Sequence, residues 1–534
     1  MDGTPAKESD TLPGRRTLLR AAAIGLGAVA ISSLDSLQRS PANALTAPPS
    51  VYLPPGIDAA TLHLLRRVTF GLSPELYADV KAVASIDWLT KQLSPSSIDD
   101  STCDAILTHF PLANATPPTA WAHGGGKPSF DPMLDLARAT IARSIWSQRQ
   151  LFEVMVEFWS NHFNVTSPSG NVWSGRAWED AYVIRPNALG RFEDLLRASS
   201  RSPSMGLYLD NFSSTGSNPN ENYARELLEL HTVGVDAGYT HADIRGAALA
   251  LTGHWLWTPY NGGDSGNYGT WRYQPTRHYV GAVQCFGWSH ANASATNGLA
   301  VSDSLISYLA HHPSTARHLA QKLATRFVSD TPSTTLINSL ARVYLDNDTQ
   351  IVPVLKSLFA SSEFLDSVGG KFRRPYEDLV ATLRICGITA DPNADSLSGI
   401  DAIAKGSLLL GQAPLLWGTP DGYPDVAANW VGSGTSLFRW NVHAVITQHW
   451  AMTGLKYPDL YKRLVPNGAT TRGALVDATI ASLLPGIAVS ATHRSALLTF
   501  LGGDGPVNAH TGDTTWLYPI LAALVLDTPY WSQR

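Results

Sequence analysis

From residue 59 onward, apolar residues recur at three- and four-residue intervals, the spacing that lines one face of a helix. This pattern predicts helices over 59–70, 74–83, 86–93, a long stretch over 132–163, and then 178–199, 221–233, 241–252, 303–327, 336–344 and 352–359. A further helical run, 375–501, is interrupted by Thr419-Pro420-Asp421-Gly422-Tyr423-Pro424-Asp425, whose Pro-Asp-Gly core is turn chemistry. Strand signals are scarce. Residues 111–128, with Gly124-Gly125-Gly126, read as a loop. Residues 261–288 depart from the helical pattern: glycine-rich, with Tyr268, Trp271, Tyr273 and Tyr279, they predict a small hairpin or an ordered surface loop beside the body. The expected fold class is therefore mainly α, a multi-helical globular body with a small aromatic Gly-rich loop or hairpin insert.

The first residues follow a different rule. Gly14-Arg15-Arg16-Thr17-Leu18-Leu19-Arg20 precedes an apolar run over 21–32, and Ala42-Asn43-Ala44 supplies a small-residue cleavage pattern. That order predicts a twin-arginine signal over 1–44, with the mature chain starting at Leu45. The apolar run is too short for a permanent membrane span, and no later stretch is long enough, so no transmembrane segment is expected in the mature chain. The twin-arginine translocation machinery is thus an expected partner, and the expected location is the periplasm, the cell envelope or the medium. A proline-rich linker over 45–58 leads into an N-terminal lobe, 59–373, and a C-terminal lobe, 374–534.

Composition narrows the partners. With 39 Lys and Arg against 44 Asp and Glu, the net charge of −5 sets up no general field toward nucleic acid or anionic lipid. Three cysteines, Cys103, Cys285 and Cys386, allow at most one disulfide and no cysteine-rich zinc module. Neither a Gly-x-Ser-x-Gly elbow, a His-Glu-x-x-His pair nor a glycine-rich nucleotide loop after a strand occurs, which argues against common esterases, zinc proteases and dinucleotide oxidoreductases.

What remains is a site assembled from dispersed carboxylates, histidines and amides. The densest stretch is Asn220-Glu221-Asn222-Tyr223-Ala224-Arg225-Glu226-Leu227-Leu228-Glu229-Leu230-His231. On a 3.6-residue period Asn222, Glu226 and Glu229 share a face. Ser217, Asn218 or Asn220 can cap this helix, Glu221 complements its dipole, Arg225 and Glu229 can pair at i, i+4, and His231 suits a cationic helix end before Gly234. Glu226, beside buried-type leucines, would need a partner. Glu226 and Asp210 are the candidate acid or base, with His162 as the orienting histidine; His162 reads equally as a buried imidazole bonded to a carbonyl. Asn222, Asn161, Arg225, His278 and Trp271 are candidate substrate-binding residues, and Trp255, Trp257, Tyr260, Tyr268, Trp271 and Tyr273 could stack on a sugar ring. Should a divalent metal ion be bound, Glu226, Glu229 and His162 are its candidate ligands. Glu153, Glu157 and Asn161 share a face at i, i+4, i+8, and for Glu157 a solvated stripe is the expected reading.

Several segments carry a family resemblance. They are His63-Leu64-Leu65-Arg66-Arg67-Val68-Thr69-Phe70-Gly71, Phe158-Trp159-Ser160-Asn161-His162-Phe163, Tyr208-Leu209-Asp210-Asn211, the stretch through Thr232-Val233-Gly234-Val235, Leu251-Thr252-Gly253, His312-Pro313-Ser314-Thr315-Ala316-Arg317, Lys322-Leu323, Arg326-Phe327 and Pro420-Asp421-Gly422-Tyr423. In this order the chain resembles the bacterial family known as domain of unknown function (DUF) 1800. The resemblance implies an exported protein and carries over no cofactor. The family pattern has His-Asp and then a lysine four residues beyond the Asp; here His278 is followed by Tyr279, and Val283 stands at the lysine. Ser160 replaces the first histidine of a His-Asn-His triplet. The expected function is an envelope or extracellular enzyme that hydrolyses a polymer, such as a glycan. A non-catalytic envelope protein that binds or assembles a polymer or surface protein is the alternative, and a cofactor-carrying redox enzyme a weaker one.

Overall fold

The computed structural model describes residues 51–125, 129–169, 172, 175–258, 262–449 and 453–534. The signal, its cleavage pattern, the start of the linker, Gly126 and Tyr260 lie outside them. The described chain is mainly helical, and its strands form three two-stranded antiparallel pairs. Two of these pairs make up the aromatic insert. His254–Leu256 pairs with Trp271–Tyr273, and Val283–Cys285 pairs with Trp288–His290. The second pair lies against helix His241–Ala250, so closely that a Cβ on Gly246 would stand 1.8 Å from the Gln284 carbonyl oxygen.

Local chemistry sets most helix starts. Asp58 accepts from Thr61 N at 2.7 Å to open Ala59–Val68, Ser73 caps Pro74–Val83, and Thr240 with Asp243 forms a capping box for His241–Ala250. The expected 132–163 helix is two, Asp131–Trp146 and Gln150–His162. Nothing in their intrinsic propensities breaks them; Asp100 does, accepting from Ser147 Oγ and Gln148 N, each at 2.7 Å, and so fixing the chain in a bend. The 303–327 segment likewise divides into Gly298–Ala310 and Pro313–Phe327, because a residue before proline is driven out of the helical region and His312 caps the second helix through Ser314 N. Within the expected 111–128 loop, Pro117–His123 is helical, opened by Thr116.

Two segments widen to i→i+5 hydrogen bonding. Asp180–Ile184 does so, ending two residues before Pro186, which has no N–H and would crowd the carbonyl four residues back. Leu227–His231 does so directly after Glu226 and closes with Thr232 Oγ1 donating to Leu227 O at 2.6 Å.

One contiguous apolar core runs from Ile57 to Trp531. Helix Gln150–His162 shows how it is built: Leu151, Val154, Met155, Phe158, Trp159 and His162 are buried at helical spacing. Helix Pro375–Cys386 is buried along nearly its whole length and packs against Asp131–Trp146, Ser398–Leu409 and Ser433–Thr447. This arrangement brings the 419–425 loop onto the C-terminal end of Gln150–His162.

Candidate functional site

The 419–425 loop is fastened to Asn161. Asn161 Nδ2 donates to Tyr423 O at 2.8 Å, and Tyr423 N donates to Asn161 Oδ1 at 2.6 Å. Gly422 has φ +75°, and a Cβ there would lie 2.1 Å from the Asn161 carbonyl oxygen, so only glycine passes this contact. The loop holds Asp421 at the surface, where its Oδ1 accepts from Trp417 Nε1 at 2.9 Å and from Thr419 Oγ1 at 2.5 Å.

Asn220 caps the 221–226 helix by accepting from Asn222 N at 2.9 Å, and Arg225 reaches Glu229 at 3.6 Å. Glu221 faces His241 at 3.1 Å and Arg245 at 3.7 Å. Glu226 is half-buried and has no ion pair or side-chain hydrogen bond among the described residues. Burial first and the Glu229 charge second raise its carboxyl above the ordinary range, with Asp421 adding to the effect and Arg225 opposing it. Asn222 and Asp210 are exposed; Asp210 adopts φ +59° and its backbone carbonyl receives Asn220 Nδ2 at 3.3 Å.

Behind this carboxyl lie three buried or half-buried histidines. His162 Nε2 donates to His231 O at 3.1 Å, and His318 Nε2 to Leu230 O at 3.3 Å. A carbonyl only accepts, so each of these rings carries its proton on Nε2. His231 is fully buried with neither ring nitrogen hydrogen-bonded. Burial, with Lys322 close by, pushes His318 down to about 4 and His231 to about 3, and His162 well below its ordinary value. His231 is therefore a neutral core ring, and the expected cationic helix end is overturned: a charge there would have no water and no partner.

Lys322 completes the cluster. It stands on Pro313–Phe327 between His318 and Arg326, at i, i+4, i+8 on one stripe. Arg326 pairs closely with Glu377, lies 3.5 Å from Glu157 and 3.7 Å from Asp425. Arg374 joins Glu157 at 2.9 Å and Glu377 at 3.0 Å, and Arg534 reaches Glu377 at 3.2 Å. Glu157 is thus part of an interior ion network, and the expected solvated stripe is corrected: two guanidiniums from distant segments converge on it. Glu153, on the same face, is held by Arg185 at 2.5 Å. Beside these groups a cavity of about 50 Å3 is lined by Glu153, Glu157, Ser160, Asn161, Tyr376 and Tyr423, among others.

The other expected binding residues lie in the insert. His278 is buried, with Nδ1 at 2.8 Å from Thr252 O and Nε2 at 2.9 Å from Asn292 Oδ1. Trp271 Nε1 donates to His254 Nδ1 at 3.2 Å, and the Arg201 guanidinium lies 5.4 Å from its ring centre. Arg272 covers Trp257 and Arg277 covers Trp255, each at 3.5 Å. One face of each of these three rings is occupied by an arginine of the chain itself.

Glu226, Glu229 and His162 do not form a compact donor trio. Among the described residues, the His/Cys/Asp/Glu group whose donors lie within 4.8 Å of one another is Glu193, His311 and Asp348. Arg191 lies 2.6 Å from Glu193 and 2.9 Å from Asp348, and Arg197 pairs closely with Glu193. Two guanidiniums already neutralise these carboxylates, so the donor set does not fit a divalent cation.

Segments far apart in sequence thus meet in one place: 158–163, 220–235, 315–327 and 420–425. A model of the family described as "Protein of unknown function (DUF1800)" matches residues 63–533. The chain belongs to this DUF1800 family. No curated protein and no solved structure matches it. Sequence reasoning reached Glu226, Asn161 and His162 but gave no role to Lys322, His318, Asp421 or Asp425. The stripe His318, Lys322, Arg326 is the signal that could have marked three polar groups on an otherwise apolar helix face.

Proposed function

We propose that the chain is an exported acid–base enzyme that hydrolyses a cell-envelope or extracellular polymer, a glycan being the simplest class, with Glu226 as proton donor. The supporting observation is the half-buried Glu226 carboxyl, which among the described residues makes no ion pair and is raised by burial, by Glu229 and by Asp421 against the pull of Arg225. A carboxyl in such company holds its proton nearer neutrality, as a general acid at a leaving oxygen requires, while a neighbouring carboxylate serves as base. Twin-arginine export, followed by residence in the periplasm, envelope or medium, belongs to the same proposal.

The test is release of reducing ends from purified envelope polysaccharide and peptidoglycan. Glu226→Gln should lower the rate by about 100-fold or more with little change in melting temperature. No release by the parent protein, or full release by Glu226→Gln, would sink the reading. Arg15→Lys together with Arg16→Lys should retain the chain in the cytoplasm, as read by fractionation.

A second reading, a non-catalytic envelope binding or assembly protein, draws support from the family positions that are changed. Tyr279 lines an open cleft of about 500 Å3 with Thr215, Ser217, Arg277 and Val280, and Val283 is buried in a strand. Neither supplies the charge of the family's Asp and Lys. Polymer retention without turnover in a pull-down would favour this reading.

A further inference from the structure

Two arginines of the aromatic insert carry charge that no carboxylate answers. Strand alternation puts Trp255 and Trp257 on one face of the first hairpin, where Trp257 N extends the pairing by donating to Thr270 O at 3.0 Å. Arg272 stands opposite Trp255 in the register and so shares that face. The guanidiniums of Arg277 and Arg272 lie on the rings of Trp255 and Trp257, each 3.5 Å from the ring centre, which makes a ladder of alternating cations and indoles. An indole face attracts a cation but leaves its charge unneutralised. Arg201, stacked on Trp271, is different, because Asp303 holds it at 2.5 Å. Among the described residues Arg272 and Arg277 form no ion pair. Arg277 Nη2 is committed to Phe212 O at 3.4 Å and Ser213 O at 3.2 Å, and the Nε of each arginine is sealed from water with no hydrogen bond. Arg277 Nη1 and both terminal nitrogens of Arg272 are neither sealed nor bonded, so these are the free donors.

Arg277 lines the open cleft of about 500 Å3, together with Thr215, Ser217, Thr276 and Tyr279, and no Asp or Glu lines it. The backbone fixes the cleft's shape. Thr215 N donates to Asn218 O at 3.1 Å and Gly216 N to Arg277 O at 2.8 Å, while a Cβ on Gly216 would stand 2.8 Å from Tyr279 Cα. The 215–217 turn is therefore pressed against 277–279, and it leads through the Asn220 cap into the helix that carries Glu226. Tyr279 occupies the position at which the family pattern has Asp. An aspartate there would set a carboxylate in the same wall as Arg277; tyrosine removes it and leaves a cation flanked by hydroxyls. Burial holds both guanidiniums below their ordinary value, and the Arg272 charge adds to this at Arg277, a strain on the charged forms that an anion would relieve.

We propose that this cleft is an oxyanion subsite for an acidic glycan, in which Arg277 makes charge-assisted hydrogen bonds to a carboxylate or phosphate group of one sugar unit. Arg272 adds its field from the next rung of the ladder, and Thr215, Ser217 and Thr276 offer hydroxyls to the sugar around the charged group. That the anion is carried by a glycan rests on the hydrolytic reading above; that the site takes an oxyanion does not.

The experiment is calorimetric titration of the full chain with tetragalacturonate and with neutral maltotetraose. The charged oligosaccharide should bind about tenfold or more tighter, the worth of a hydrogen bond to a charged group. Arg277→Gln should remove that difference and Arg272→Gln reduce it, whereas Arg342→Gln, at an exposed arginine on helix Thr334–Asp346, should leave it intact. Tyr279→Asp, which restores the family's carboxylate, should remove it too. Equal affinity of the parent for the two oligosaccharides overturns the proposal without any variant having to fold, and so does a full difference retained in Arg277→Gln. Competition by inorganic phosphate would extend the site to phosphate-bearing sugars, and its failure would narrow the site to uronates. A single-stranded oligonucleotide that binds tighter than tetragalacturonate, and loses that binding in Arg277→Gln, overturns the glycan assignment. Failure of the parent to release reducing ends would leave this binding standing, and failure to bind tetragalacturonate would leave turnover of a neutral polymer by Glu226 standing, so the two readings fail separately.

Discussion

The His162 and His231 rings lie 6.1 Å apart, centre to centre, yet differ in what they contribute. The His162 ring donates to a buried carbonyl, whereas the His231 ring has no hydrogen-bond partner and is fully buried. Leaving a buried acceptor unmet costs about 1–3 kcal/mol, while replacing a group that makes no bond by an apolar one of similar size is close to neutral. His162→Leu should therefore lower unfolding free energy by about 1–3 kcal/mol. His231→Leu, packed against Phe163 and Tyr223, should leave it unchanged or raise it. Urea titration of the two variants checks the pair; an equal loss in both would show that the His231 ring is bonded in solution.

At the scale of elements, the 419–425 loop is positioned by one glycine and one asparagine. Gly422→Ala places a methyl against the Asn161 carbonyl in a left-handed conformation, so the loop must shift or the helix end must open. The expected outcome is a loss of more than about 1 kcal/mol and new protease cleavage between residues 417 and 425, read by mass mapping. Unchanged stability and protection would mean that the loop is not seated on Asn161. The turn itself was legible, because Pro-Asp-Gly is local chemistry; its destination was not, because Asn161 lies more than 250 residues away. The same division holds elsewhere. Helix phase and most starts follow from periodicity and caps, as at Asp58 and Ser73. The break at Ser147 depends on Asp100, and the burial of Glu157 depends on Arg326 and Arg374, none of which a helix pattern can announce. Glu226 could be singled out because a carboxylate beside buried leucines is locally anomalous. Lys322 alone is an ordinary helical lysine; only its i, i+4, i+8 stripe with His318 and Arg326 sets it apart in the sequence.

Over the whole molecule, a single core places many ionisable side chains away from water, and their linked protons set how stability follows pH. Burial lowers His63, His254 and His318 to about 4 and His231 to about 3. Each is neutral when folded and takes up a proton near 6.5 when unfolded. Below that value the unfolded state binds more protons, so stability must fall as the pH drops from about 6.5 toward 4. His443 has the opposite sign. Burial alone would lower it, but Asp378 at 3.1 Å and Asp527 at 2.7 Å outweigh that and raise it to about 9. Its contribution is fully present below about 6.5 and is lost as pH climbs through about 9, because the folded state then holds the proton that the unfolded state has released. Lys322, lowered to about 8, counters this loss above pH 8, which leaves 6.5 to 8 as the window where His443 acts without that opposition. The melting temperature should therefore peak near pH 6.5 and decline on both sides. His443→Gln should lower the peak and flatten the decline between pH 6.5 and 8 while keeping the acid limb. A parent protein whose melting temperature rises from pH 6.5 to 8 would exclude a buried imidazolium joining helices Pro375–Cys386, Ser433–Thr447 and the end of Tyr518–Leu526.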